Sequence, residues 1–278
     1  FLEDSSGLDF WNGQLYAVDN GTATFWILDV AKDGSLTFAD GFEEGKTVAF
    51  QKDAENPQAA GPDSEGITVD EQGMVYLAAE RDNSAKGVNY NVILMVDPRE
   101  EGSRLVAEKE WDLTASLPQV SANMGIEAVE WVSMEEVDGR LWDQNTGEAF
   151  AASDYPDAWA DGVFFVALED NGHVYGYVLH EDGTVLQICD MELQGKGAHL
   201  IGFPGVAVSE VTHVKTDCQR LVAGQSHVFI DQEDRLLAVS KREFFIHRVE
   251  GDRFPGVGAA LVKLSALLRI DLLIFVVY

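Results

Sequence analysis

Acids recur at matching places along this chain. Glu65 opens the stretch Glu65-Gly66-Ile67-Thr68-Val69-Asp70, and Glu127 opens Glu127-Ala128-Val129-Glu130-Trp131-Val132, 62 residues later. A third stretch, Ser6-Gly7-Leu8-Asp9-Phe10, places Gly7 59 residues before Gly66. Carboxylates are hard oxygen donors, suited to Ca2+, which takes six to eight oxygens in loose geometry. Asp63, Glu65, Glu80, Glu127 and Glu169 are therefore candidate ligands for Ca2+ or another divalent cation, with Glu130 among the same strand-end acids. The competing reading makes them caps that bond neighbouring backbone amides at strand ends. A bound cation would polarise an ester centre and lower the pKa of a water, and a nearby carboxylate would take its proton. Arg81 and Lys86 follow Glu80 closely and are candidate holders of an anionic substrate. Neutralising Glu80 is the favoured reading of Arg81.

Metal-free templates are missing. No Gly-x-Ser-x-Gly elbow occurs, and Ser64 in Gly61-Pro62-Asp63-Ser64-Glu65-Gly66 has the wrong spacing for one. No His-Glu-x-x-His pair occurs. Gly41 to Thr47 imitates a phosphate loop but is one residue short, and its acids make a poor phosphate cradle. His173 and His180 read as surface residues beside turns. No catalytic residue is assigned from the sequence.

The acids can meet only if a fold brings them together. Period-two apolar runs broken by Asn12-Gly13, Asp33-Gly34, Asn171-Gly172 and Asp182-Gly183 read as strands joined by tight hairpins. The runs group into three sets: 6–11, 14–19, 23–30 and 35–39; then 65–70, 74–80, 91–97 and 104–112; then 126–132, 163–168, 173–179 and 185–192. Four-strand units at a fixed period predict an all-β chain and a β-propeller, whose inner strands converge on one axis. Glu65 and Glu127 share one position of that repeat and are expected to face each other there. Residues 133–162 interrupt the third set and read as a lid or rim loop.

The chain changes character near residue 205. Residues 1–205 hold 10 of the 19 basic and 39 of the 48 acidic side chains, hence the whole net charge of −29. The repeat fades over 206–258, read as a degraded blade, and 259–278 form an apolar tail. Three clear blades and a faded fourth predict a truncated propeller with an aberrant C-terminal end. A membrane span in the tail is not expected, because Lys263, Arg269 and Asp271 would each cost roughly 2.5–3.5 kcal/mol at mid-bilayer. Strong negative charge also excludes nucleic acid as a partner. Cys189 and Cys218 show no metal-ligand spacing, and their pairing stays open.

Three stretches carry a resemblance to a known family. Asp63-Ser64-Glu65-Gly66-Ile67, Gly125-Ile126-Glu127-Ala128-Val129-Glu130-Trp131, and Val163 through Leu168-Glu169-Asp170-Asn171-Gly172-His173-Val174-Tyr175 resemble the phytase-like propellers of bacteria. The resemblance spans about residues 6–205. It implies a secreted or periplasmic hydrolase acting on a small-molecule phosphate or carboxylic ester. A non-catalytic propeller stapled by calcium and binding a ligand or protein is the alternative.

Overall fold

In the computed structural model the described residues are 4–192, together with the backbone of five short strands farther on. The chain is mostly β, built as several sheets. The first sheet contains β1 (Ser5–Trp11), β2 (Gln14–Asp19) and β3 (Thr24–Val30), with β4 (Leu36–Phe38) and β5 (Lys46–Ala49) both pairing to β3. The second runs inward from β10 (Lys109–Asp112) through β8 (Val92–Val96) and β7 (Val75–Asp82) to β6 (Pro62–Val69), where β9 (Arg104–Val106) belongs elsewhere. The third is β11 (Ile126–Ser133), β14 (Gly162–Leu168), β15 (Val174–Leu179) and β16 (Val185–Met191). The strands named for each sheet pair antiparallel with one another, as the alternating apolar runs require.

Hairpin chemistry sets the registers. Asn12 and Gly13 both take positive φ, 49° and 85°, the pairing a type I′ turn demands between β1 and β2. The strand expected over 104–112 proves to be two. β9 pairs in parallel with β5 of the first sheet, and the chain then crosses so that β10 completes the second. The crossing is held by Ala107 N–H to Ala49 O and Glu108 N–H to Met95 O, at 2.9 and 2.8 Å. A short apolar run carries no mark of which neighbour it will pair with.

The core lies between the sheets. Tyr16, Phe25, Val48 and Phe50 of the first meet Ile67, Leu77 and Leu94 of the second. Tyr76 and Trp111 of the second meet Phe164 and Tyr177 of the third, with the Tyr76 and Phe164 rings 4.8 Å apart. Residues 133–162 correct the lid expectation. A one-turn α1 (Met134–Val137) and the small hairpin of β12 (Trp142–Asp143) and β13 (Glu148–Ala149) fold onto the third sheet and bury Val137, Leu141 and Phe150. Trp159 turns back into the aromatic layer, donating from Nε1 to Tyr76 Oη at 2.9 Å. Its apolar residues are the reason: they cover the outer face of the third sheet.

Cys189 is a buried free thiol. The boundary near residue 205 and the segments 206–258 and 259–278 lie outside the described residues, apart from β17 (Cys218–Arg220), β18 (His227–Ile230), β19 (Leu236–Ser240), β20 (Phe245–His247) and β21 (Leu272–Val276). β17 pairs with β20, and β18, β19 and β21 form a three-stranded sheet. No helix among the described residues is long and apolar enough to cross a membrane.

Candidate functional site

The three inner strands β1, β6 and β11 lie shoulder to shoulder, and glycine makes this possible. A Cβ on Gly7 would sit 2.9 Å from Gly66 Cα, and one on Gly66 would sit 2.8 Å from Ala128 Cα. These contacts are backbone to backbone, so nothing can swing aside. Just before each contact the pairing register slips by one residue: between Ser5 and Gly7, between Ser64 and Gly66, and between Ile126 and Ala128. The extra residues are Ser6, Glu65 and Glu127. A β-bulge re-aims a side chain, and all three line one cleft between the strands.

Glu65 is buried and fully engaged. Ser6 Oγ donates to its Oε2 at 2.6 Å, and Asn20 Nδ2 donates to its Oε1. Burial, the chief cause, and the charges of Glu80 and Asp63 push its carboxyl up to about 7. Glu127 is pushed higher still, by burial first and then by Glu65, Glu169 and Glu80, and it hydrogen-bonds to Glu169. Carboxyls that close cannot all ionise without a counter-charge.

Asp63, Glu65 and Glu80 form the tightest group, with one oxygen of each within 4.8 Å of the others and all three buried. Glu80 Oε2 accepts from Gly125 N–H at 3.0 Å, and burial raises its carboxyl to about 7. Arg81 stands beside this trio. Its guanidinium pairs with Asp63 and, at 3.0 Å, with Glu80, and it also donates to Ala122 O at 3.1 Å. The structure thus draws the five expected acids to one end of the inner strands. Arg81 joins them as a counter-charge. Lys86 is placed elsewhere, exposed on the turn after β7. His173 pairs with Asp190 at 2.6 Å on the third sheet.

Three participants escaped the sequence reading: Ser6, Asn20 and Gly125. Ser6 carried a usable signal, since it precedes Gly7 as Glu65 precedes Gly66. Asn20 and Gly125 carried none, because loops bring them in.

A family profile described as phytase-like, esterase-like activity of phytase, matches residues 2–188. The chain belongs to the phytase-like family. Among curated proteins none matches this phytase-like chain. Among solved structures it is similar to a putative 6-phosphogluconolactonase from Bacteroides uniformis, at 13% identity and a TM-score of 0.31, over 88% of this chain and 53% of that one. A periplasmic gluconolactonase, PpgL, from Pseudomonas aeruginosa is similar at 12% identity and 0.34, over 88% and 69%. A protein from Lactobacillus plantarum follows at 12% and 0.28, over 93% and 68%. The chain spans about half the length of the first of these.

Proposed function

We propose that this phytase-like chain carries the site of a propeller that hydrolyses small-molecule phosphate or carboxylic esters with a divalent cation, Ca2+ foremost, at its acidic cleft. One observation carries the reading: Asp63, Glu65 and Glu80 bring buried oxygens within 4.8 Å, with Glu127 and Glu169 adjoining. The donor set fits a hard cation, being all oxygen and strongly negative. Asp63, Glu65, Glu80, Glu127 and Glu169 would hold it. When bound, the cation supplies charge to polarise an ester and to acidify a water.

The protein's own groups have separate tasks. Whichever of Glu127 and Glu169 the cation does not engage would take up and return a proton. Ser6 and Asn20 fix the Glu65 carboxylate by occupying both its oxygens. Arg81 orients Asp63 and Glu80, and its positive charge draws an anionic ester toward a chain whose net charge is −29. Lys86 would act only at the rim. Export to the periplasm or outside the cell accords with the family.

The Arg81 ion pairs favour a second reading. They already compensate two of the acids, as expected if the cluster only staples the inner strands and the protein binds rather than cleaves. Ester hydrolysis measured with and without added Ca2+, before and after chelation, separates the two. Calcium binding without turnover of phosphate or carboxylic esters leaves the binding module. Turnover that survives exhaustive chelation removes the metal from the reaction.

A further inference from the structure

A second layer of side chains ties the inner strands together, two residues beyond the points of closest approach. Counted from Gly7, Gly66 and Ala128, that layer is Asp9, Thr68 and Glu130, and the next residues are Phe10, Val69 and Trp131. Asp9 Oδ2 accepts from Val69 N–H at 2.8 Å and from the Thr68 hydroxyl at 3.2 Å. Thr68 Oγ1 accepts in turn from Trp131 N–H at 3.0 Å. β1 and β6 thus each give a side-chain oxygen to the main-chain N–H of the next inner strand, at the same register.

Glu130 is the next term of this series. It is only 8% exposed, and its place in the series calls for a main-chain N–H from the next strand. Buried acceptors normally find a donor. Leu8 and Phe10 mark the opposite flank of the same gap. They hold the register positions of Ile67 and Val69, which are buried against the first sheet, but are themselves 37% and 41% exposed. The backbone of β21 runs beside both β11 and β1, and pairs with β19 along one edge. Its sequence, Leu272-Leu273-Ile274-Phe275-Val276, is wholly apolar.

We propose that Glu130 is the docking acceptor for a fourth inner strand, and that β21 of this same chain takes that place. β21 gives Glu130 a main-chain N–H as Val69 gives one to Asp9 and Trp131 to Thr68. The partner is a strand edge, recognised by its backbone. Gln at position 130 keeps an acceptor oxygen and Leu does not, so the two substitutions part a specific bond from mere filling of space.

Hydrogen exchange on the full chain tests this. An amide within Leu272–Val276 should be slow in the unaltered protein and in Glu130→Gln, and roughly tenfold faster or more in Glu130→Leu, while the Val92–Val96 amides stay slow in all three. Unprotected amides across Leu272–Val276 in the unaltered protein, or equal protection in Glu130→Leu, would overturn the proposal. Should Glu130→Leu lose protection at Val92–Val96 as well, cysteine pairing decides instead. Leu8→Cys is combined in turn with a cysteine at each position from 272 to 276, in a Cys218→Ser background. A disulfide within monomers supports docking in the same chain. No disulfide, or disulfides only between copies, overturns it.

Discussion

At the scale of single residues, the acidic cleft is governed by how few counter-charges it holds. Glu65→Gln and Glu127→Gln each remove one negative charge while nearly keeping shape. Each is expected to weaken Ca2+ binding about tenfold or more, read by calorimetry, and to lower any esterase rate in parallel. Binding unchanged in the double variant would locate the cation elsewhere. The raised carboxyls also predict a pH dependence. Glu65 and Glu80 titrate from 4.5 to about 7 on folding, so between those values the native state holds protons that the unfolded chain has lost. Their contribution to stability is therefore full below about 4.5, falls as pH rises toward 7 and levels off above it. Glu127 extends the decline to higher pH. The urea midpoint should drop from pH 5 to pH 8 in the absence of divalent ions. Added Ca2+ should recover much of it at pH 8, because a cation stabilises the ionised carboxylates. A midpoint that climbs with pH would contradict the burial of these groups.

At the scale of elements, the inner strands depend on close backbone approach and on bulges. Gly66→Ala puts a Cβ 2.6 Å from Val129 N and should destabilise by about 1–3 kcal/mol in urea unfolding. Gly87→Ala, with nothing within 4 Å, is the control and should stay within about 0.5 kcal/mol. Equal midpoints for the two would mean that β6 and β11 sit farther apart. The third element of note is the long connection 133–162. Its Phe150 is 1% exposed and stacks on Tyr155 at 5.2 Å, so that part of it packs as core.

At the scale of the whole molecule, a net charge of −29 sets a background repulsion on every acid already described. Salt screens it, with a Debye length near 10 Å at 0.1 M. Raising NaCl from about 0.02 to about 0.5 M should lift the melting temperature by roughly 2–5 °C, on the scale expected for a gain of about 1 kcal/mol. A melting temperature that falls with salt would show that attractive pairs such as Arg81 with Asp63 outweigh the repulsion.

Much of this was legible in the residues themselves. Alternating apolar runs and Asn-Gly or Asp-Gly turns determined most strands from 5 to 191, though not β5, β12 or β13, because a strand's side-chain period and a turn's φ are local properties. The repeat placed Glu65 and Glu127 at one register position, and the structure sets both in the lining of one cleft. Other facts rested on contacts between residues far apart in the chain. The bulges at Ser6, Glu65 and Glu127 depend on the partner strand, and no residue type announces them. The parallel pairing of β9 with β5 is a choice between neighbours of similar apolar character. Arg81 read as a counter-charge to Glu80 ahead of a substrate holder. Only the fold seated Asp63 as well as Glu80 against its guanidinium, since the energy of a charge is set by what tertiary packing brings within a few ångströms of it.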